Sequence, residues 1–293
     1  MNRRRFLLST TCGILAAKPT PAGAKPAPLD GEVGITTGSF VRHLSPTAQT
    51  GKLWLLDLPH LMRNDLDMRV IDLMTATLPS LDQRYCEQLR SAAEAAGCQL
   101  TNLKMNQPDV DLGSADTAVR AEAVRVYRDT IDAAATLGVR WVRPLPMKAR
   151  PDLSVYAESY QMLIDYAGER GIGVLVENFG WMQGDPDAIP NFIAAVGPEL
   201  KAQPDTGNWT TNEIRYIGLE KAFPYAVSCD FKARELAPDG SHALYDLKRC
   251  FDIGWKAGFR GPWCLEHFHA DLTQLYHEMG LLRDQLRRWM KAA

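Results

Sequence analysis

Apolar and polar residues follow two alternating patterns along this chain. Short, mostly apolar runs of four to seven residues are followed by longer stretches in which apolar residues recur every three or four positions. The first pattern is typical of buried strands and the second of amphipathic helices. Predicted strands cover 33–37, 68–74, 99–105, 139–142, 172–177, 200–204, 226–231 and 262–266, and predicted helices cover 53–63, 80–96, 115–137, 153–170, 187–196, 213–222, 245–257 and 272–291.

Eight strand–helix repeats predict an α/β protein that forms a single (β/α)8 TIM barrel. Alternation of strands and helices indicates a parallel sheet, and eight units favour a closed barrel over an open doubly wound sheet. The glycine fingerprint of dinucleotide-binding folds and the Gly-Lys-Ser/Thr phosphate loop are both absent. We therefore expect one domain over residues 31–293, preceded by a linker at residues 25–30.

The N-terminus predicts an export signal peptide over residues 1–24. Arg3, Arg4 and Arg5 precede an apolar run, and Ala22-Gly23-Ala24 offers a small-residue cleavage site. The Arg-Arg-x-Phe-Leu pattern resembles the bacterial twin-arginine signal. The apolar run is too short to span a bilayer, so we expect a periplasmic protein without a stable membrane anchor.

Composition and charge narrow the classes of ligand. The chain has 293 residues, 46% hydrophobic and 23% charged, with a net charge of −2 that becomes −6 without residues 1–24. A mildly acidic protein lacks the basic surface that nucleic acid requires, which leaves small neutral or polar ligands. The five cysteines after Cys12 are odd in number and scattered, so we expect buried free thiols.

The last four predicted strands each lead into a carboxylate: Glu177, Asp205, Asp230 and Glu266. In a parallel barrel all four meet at the C-terminal mouth, where barrel enzymes keep their chemistry. Converging carboxylates repel one another unless a proton or a cation neutralises them. An oxygen-rich site suits Mn²⁺ or Mg²⁺, with Zn²⁺ and Co²⁺ as alternatives.

This chemistry points to proton transfer on a sugar. A cation would polarise a sugar carbonyl, while Glu177 and Glu266 would act as base and acid at the neighbouring carbon. We expect Lys232 and Asn208 to orient hydroxyl groups and Trp181 to stack on a sugar face.

Other charged residues lie near the same predicted strand ends. His267 and His269 flank the end of the eighth strand and are candidates to bind the substrate. Lys104 and Arg143, at the ends of the third and fourth strands, would either bind hydroxyl or phosphate groups or carry a solvated charge. Lys232 follows Asp230 closely and could neutralise it without any metal.

Four motifs carry a family resemblance. Leu-Val-Glu-Asn at 175–178, Pro-Asp-Thr-Gly-Asn at 204–208, Asp-Phe-Lys at 230–232 and Leu-Glu-His at 265–267 resemble the xylose isomerase-like TIM-barrel superfamily. The resemblance covers residues 31–293. It implies metal ligands at the ends of strands five to eight, which assigns Glu177, Asp205 and Glu266 directly, and it implies that the two glutamates also serve as the acid–base pair.

The seventh strand departs from the family pattern. The family usually has His-x-Lys where this chain has Asp230-Phe231-Lys232. Either Asp230 joins an all-carboxylate metal site, or Lys232 pairs with it and the metal is weakened or lost. In the second strand, Asp72 stands where the family often has Glu, and it would either reach the substrate or pair inside the barrel.

Together these features predict a sugar isomerase or epimerase that uses metal-assisted proton transfer next to a carbonyl. A keto-sugar or glycoside lyase or dehydratase on the same scaffold is one alternative, and a non-catalytic sugar-binding barrel is another. The expected partner is a small-molecule carbohydrate and not nucleic acid, and the sequence allows a homo-oligomer.

Overall fold

A computed structural model describes residues 28–44, 51–107 and 109–293. The predicted signal peptide and the first half of the predicted linker lie outside these ranges. The strands are β1 (Val33–Thr36), β2 (Val70–Met74), β3 (Gln99–Met105), β4 (Trp141–Pro144), β5 (Gly173–Val176), β6 (Lys201–Ala202), β7 (Cys229–Lys232) and β8 (Trp263–Glu266). The helices are α1 (Val41–Leu44), α2 (Leu58–Asp65), α3 (Gln83–Ala95), α4 (Thr117–Leu137), α5 (Leu153–Gly168), α6 (Ala188–Val196), α7 (Asn212–Ala222), α8 (Leu247–Lys256) and α9 (Leu272–Ala292).

The eight strands are parallel and follow the order β6-β5-β4-β3-β2-β1-β8-β7. Between β6 and β7 the ring is completed by two short bridges, Ala202 to Ala226 and Asp205 to Asp230. The backbone N–H of Asp230 also donates to the carbonyl of Pro204 at 2.9 Å. The predicted single TIM barrel is therefore confirmed.

Side-chain caps fix where most of the helices begin. The carboxylates that precede α3, α4, α5, α8 and α9 each accept a backbone N–H of the first turn, which satisfies donors that the helix itself leaves unpaired. These capping residues are Asp82, Asp116, Asp152, Asp246 and Asp271. Because the helix N-termini lie at the C-terminal ends of the strands, the caps hold the loops around the barrel mouth.

The core lies between the strands and the surrounding helices. Around β8, the indole of Trp263 packs against Phe259, Phe251 and Phe223 with ring centroids 4.9, 5.1 and 5.8 Å away. The five cysteines in the described ranges are buried and free, as the sequence predicts. No helix of the described ranges is long and apolar enough to cross a membrane.

The sixth strand is shorter than predicted. Regular pairing with β5 stops at Ala202, although the apolar pattern extends to Pro204. Gln203 still donates its N–H to the carbonyl of Val176 at 2.8 Å, but the N–H of Asp205 donates to the side-chain oxygen of Asn178 at 2.7 Å, so a side chain replaces the next backbone acceptor. The chain then turns inward, and this turn places Asp205 at the mouth instead of on a regular strand.

Candidate functional site

The four strand-end carboxylates meet at the C-terminal mouth of the barrel and are almost completely buried. Glu177 is 3% exposed, Glu266 is 7% exposed, and Asp205 and Asp230 are not exposed at all. Buried carboxylates require hydrogen-bond donors or cations close by. Three cations supply these contacts, Lys104 from β3, Arg143 from β4 and Lys232 from β7, and all three are themselves at most 5% exposed.

Glu177, directly after β5, lies between a cation and an amide. Arg143 Nε is 2.9 Å from its Oε2. The angle at this contact falls outside that of a hydrogen bond, so both atoms lack a hydrogen-bond partner and the contact is an ion pair. On the other side, Asn208 Nδ2 donates to Glu177 Oε1 at 2.9 Å. The predicted site residue Asn208 therefore contacts a carboxylate of the site.

Asp205 is held by its own turn and by Lys232. Its Oδ1 accepts the backbone N–H groups of Gly207 and Asn208 at 2.6 and 3.0 Å, and its Oδ2 is 2.9 Å from Lys232 Nζ. A Cβ at Gly207 would lie 2.6 Å from the side chain of Lys232. Glycine is therefore required in the Asp-Thr-Gly-Asn motif because the stem of Lys232 packs against its backbone.

Asp230 is neutralised by a residue other than the one proposed from the sequence. Lys104 Nζ lies 2.6 Å from Asp230 Oδ2, whereas Lys232 contacts Asp205 and Glu266. Two residues along a strand span about 6.6 Å. Lys232 therefore lies one layer nearer the mouth than Asp230, and Lys104 from the far side of the barrel reaches the deeper layer.

Glu266, the last residue of β8, joins the two lysines. Its Oε1 is 2.7 Å from Lys232 Nζ and its Oε2 is 3.4 Å from Lys104 Nζ. Lys232 Nζ also donates to Asn208 Oδ1 at 2.9 Å. Lys104 and Arg143 are consequently buried partners of carboxylates, and the expectation of a solvated charge at these positions was wrong.

Burial and the neighbouring charges shift the pKa values of the site in different directions. For Glu266 burial acts to raise the pKa, but Lys232 and Lys104 outweigh it and lower the pKa to about 2. Burial, with the charges of Glu266 and Glu177, raises the pKa of Asp205 to about 6 despite Lys232. The surrounding carboxylates raise the pKa of both lysines against the effect of burial, so both remain ammonium ions.

Asp72 pairs inside the barrel, which is one of the two roles considered for it. It is fully buried and accepts hydrogen bonds from Thr101 at 2.5 Å and from Gln203 Nε2 at 2.8 Å. The amide of Gln203 also donates to Asp230 Oδ1 at 3.3 Å. The sequence pattern did not single out Gln203, although a glutamine within an apolar strand run was the available signal.

The remaining candidates lie around the carboxylates rather than among them. Both ring nitrogens of His267 are occupied, Nδ1 by the carbonyl of Ala233 at 2.7 Å and Nε2 by Glu278 at 2.6 Å, so its ring faces α9. His269 accepts the backbone N–H of Asp271 at 2.9 Å. Trp181 lies half-buried in the loop after β5 with Arg150 over its ring.

A cavity of about 550 Å³ opens beside the loop that follows β7. His242 and Tyr245 line it, whereas the four carboxylates do not. Tyr245 connects it to the site, because its hydroxyl donates to the backbone carbonyl of Lys232 at 2.6 Å. The mouth is most accessible at Glu266 and Lys232, whose side chains are 9% and 7% exposed.

Three of the four carboxylates are close enough to one another to be ligands of the divalent cation expected from the sequence. Glu177, Asp205 and Asp230 each offer an oxygen within 4.8 Å of the others, so a buried acidic triad is present. Carboxylate oxygens suit Mg²⁺ or Mn²⁺. However, each triad member already contacts a different cation of the chain at 2.6–2.9 Å, so a divalent cation at the triad would lie against three positive groups. Glu177 Oε2 and Asp205 Oδ2 make these ion pairs without a hydrogen bond.

Comparison with known proteins identifies the fold family. The family profile described as Xylose isomerase-like TIM barrel matches residues 64–293, which is most of the chain. No curated protein matches this sequence.

Solved structures share the fold at low identity. D-psicose 3-epimerase from Clostridium cellulolyticum, solved with D-tagatose, superimposes with a TM-score of 0.68 at 15% identity over 88% of this chain and 98% of that one. A xylose isomerase-like TIM barrel protein from Mycobacterium smegmatis, solved with magnesium, has a TM-score of 0.63 at 17% identity over 90% and 97% of the two chains. An L-ribulose 3-epimerase superimposes with a TM-score of 0.66 at 17% identity, over 89% of this chain and 97% of that one.

Proposed function

The chain belongs to the Xylose isomerase-like TIM barrel family, and from this membership and the geometry of its mouth we propose that it is a carbohydrate isomerase or epimerase. The substrate would be a small sugar with a carbonyl group, and the reaction would move a proton at the carbon next to that carbonyl. The presence of D-psicose 3-epimerase and L-ribulose 3-epimerase among the structures that share the fold supports this proposal.

One observation carries the proposal: a continuous chain of contacts joins the two glutamates. Asn208 Nδ2 donates to Glu177, Lys232 Nζ donates to Asn208 Oδ1, and Lys232 Nζ contacts Glu266, each at 2.7–2.9 Å. These contacts fix two carboxylates from β5 and β8 relative to each other. Proton transfer at carbon requires an acid and a base held in this kind of fixed arrangement.

In the proposed reaction one glutamate removes the carbon-bound proton, and the electron pair moves onto the carbonyl oxygen. The ammonium groups of Lys232 and Lys104 stabilise the negative charge on that oxygen. In an epimerisation the other glutamate enters the reaction protonated and gives its proton to the opposite face of the carbon, and solvent exchange then restores the starting protonation of both glutamates. In an isomerisation the glutamate that took the proton returns it to the neighbouring carbon, while the hydroxyl proton of that carbon passes to the former carbonyl oxygen. No step needs the Mn²⁺ or Mg²⁺ expected from the sequence, because the ammonium groups supply the positive charge.

Lys232 also links substrate binding to the basicity of Glu266. Because Lys232 is the strongest of the charges that lower the pKa of Glu266, the free carboxylate is a weak base. A substrate oxygen that takes one N–H of Lys232 would weaken this contact and raise the proton affinity of Glu266. The base would then be activated when the sugar is bound.

A non-catalytic sugar-binding barrel is the second candidate. The ion pairs of the carboxylates favour it, because a carboxylate held by a cation of the chain is a weak base. In this case the lysines and Asn208 would bind sugar hydroxyls and no carbon-bound proton would exchange. A lyase or dehydratase would need the same proton abstraction followed by loss of a leaving group.

Exchange of carbon-bound hydrogen in D₂O tests the proposal for every sugar that carries a proton next to its carbonyl group. A panel of free aldoses, ketoses and 3-keto-glycosides is incubated with the purified protein and followed by proton NMR. We expect loss of one carbon-bound proton signal for at least one sugar, and Glu177→Gln and Glu266→Gln should each abolish this loss.

The exposed Glu94 on α3 offers a matched control, because Glu94→Gln makes the same change far from the mouth. This control should exchange at the wild-type rate. Full exchange in Glu177→Gln or Glu266→Gln would contradict the assigned roles, and sugar binding without exchange across the panel would favour the binding protein. An elimination product in the same spectra would indicate a lyase.

A further inference from the structure

Each carboxylate of the buried acidic triad is paired with a different cation of the same chain. Glu177 contacts Arg143 at 2.9 Å, Asp205 contacts Lys232 at 2.9 Å, and Asp230 contacts Lys104 at 2.6 Å. A divalent cation bound at the triad would have to displace or repel three positive groups at once. The triad is thus a set of closed ion pairs.

The contacts account for every carboxylate oxygen at the mouth. Eight oxygens belong to the four acids, and each has an N–H donor or a cationic nitrogen within 3.4 Å. In a cation site at least one oxygen of each ligand is normally directed at the ion. Here every oxygen of the four acids lies against a nitrogen of the protein, although Glu177 Oε2 and Asp205 Oδ2 make ion pairs only and no hydrogen bond.

The two lysine ammonium groups occupy the space among the acids. Lys232 Nζ lies 2.7–2.9 Å from oxygens of Asp205, Glu266 and Asn208: it donates a hydrogen bond to Asn208 and forms ion pairs with the two carboxylates. Lys104 Nζ bridges Asp230 and Glu266 from the opposite wall of the barrel. Both side chains are at most 7% exposed, so these contacts are not exchanged readily for water.

We propose that the ammonium groups of Lys104 and Lys232 replace the divalent cation at this site, so that the site is assembled without a metal. Lys104 is the decisive member, since it pairs with Asp230, where the sequence resemblance expects a histidine. The inference deepens the proposed function because it names the positive charge of the same site, but its test needs no substrate.

Metal binding of the full chain and of one double variant tests this proposal. The purified protein is treated with a chelator, dialysed and titrated with Mn²⁺, with bound metal measured by calorimetry and by the electron paramagnetic resonance of free Mn²⁺. Lys104→Met with Asp230→His removes the ion pair as a unit and supplies a neutral nitrogen donor. An exposed pair on α8 gives the matched control, Lys248→Met with Asp252→His.

We expect no saturable Mn²⁺ binding by the wild-type protein and no change in its urea midpoint with chelator or Mn²⁺. The Lys104/Asp230 double variant should bind one Mn²⁺ saturably at concentrations where the wild type shows no saturable binding, and the α8 control should behave like the wild type. Stoichiometric metal in the wild type, or a urea midpoint that chelator lowers, would overturn the proposal, as would a folded double variant without gained affinity. If the double variant does not fold, the Mn²⁺ titration and the urea midpoint of the wild type still test the proposal. A failure to exchange carbon-bound hydrogen in D₂O would count against the proposed function, but it would not change the conclusion on metal binding.

Discussion

Replacement of Lys232 by methionine should destabilise the fold strongly at neutral pH. The substitution keeps the length of the side chain but removes an ammonium group that contacts Asp205 at 2.9 Å and Glu266 at 2.7 Å. Both acids would remain buried, and Glu266 would keep only the weaker contact with Lys104 at 3.4 Å. Breaking a buried ion pair by removing one partner costs about 3–5 kcal/mol.

The pKa of Glu266 gives a second, independent value for the free energy of unfolding that depends on Lys232. The folded protein lowers it from 4.5 to about 2, chiefly through Lys232 acting against burial. Such a shift corresponds to about 3 kcal/mol of stability, and the residue is buried enough that solvent screening does not reduce it. From both the cost of breaking a buried ion pair and the pKa shift of Glu266, we expect Lys232→Met to lower the free energy of unfolding by several kcal/mol.

The loss should depend on pH in a defined direction. A carboxyl group whose pKa is lowered by folding contributes stability that is present above its unfolded pKa and is lost as pH falls through its folded pKa. For Glu266 this window runs from 4.5 down to about 2. Asp205, with a pKa of about 6, is protonated first and thereby weakens its own pairing with Lys232. The difference between wild type and variant should be largest above pH 6 and should shrink in acid.

Urea denaturation followed by tryptophan fluorescence measures this difference at about pH 7 and about pH 4. Lys248→Met removes an exposed lysine that pairs with Asp252 and should cost less than about 1 kcal/mol at either pH. A difference below about 1 kcal/mol for Lys232→Met at pH 7, or an equal difference at both pH values, would refute the assignment of Lys232 as the buried counter-ion.

Two further predictions concern the packing of Lys232 and the N-terminus. Gly207→Ala places a Cβ 2.6 Å from the Lys232 side chain, so it should lower the free energy of unfolding by about 1–3 kcal/mol and slow the exchange of carbon-bound hydrogen on the sugar. An unchanged exchange rate would contradict this packing. We also propose that residues 1–24 direct export, so that replacing Arg3 and Arg4 by lysine should retain the protein in the cytoplasm in a cell-fractionation assay.

The sequence predicted the barrel well because its signals are local. The apolar periodicity of a strand or a helix depends only on neighbouring residues. β3, predicted at 99–105, has those bounds in the structure. Errors occur where tertiary contacts decide, as in the early end of β6 before Pro204 and in α2, which begins at Leu58 rather than at residue 53.

The carboxylates of the site were also predictable, since acids at successive strand ends of a parallel barrel must converge. Their partners were not, because these contacts join distant parts of the chain. Lys104 and Asp230 are 126 residues apart, and Lys104 and Glu266 are 162 apart. The available signal was a lysine between Leu103 and Met105 in an otherwise buried strand, because such a charge requires a partner inside the barrel.

The arrangement of charge around the mouth explains why these pairings depend on one another. Lys104 on β3 and Arg143 on β4 are neighbours in the sheet register, and like charges in such positions repel. They face carboxylates on β7 and β8 and directly after β5, so this pair of neighbouring cations is stable only while the opposing acids remain ionised and in contact with them. A metal that drew Glu177 and Asp230 to itself would leave Lys104 and Arg143 adjacent, buried and without those partners. In the proposed metal-free site the cations on β3 and β4 therefore matter as much as the carboxylates, and we expect a gain of metal binding to require the loss of at least one of these cations.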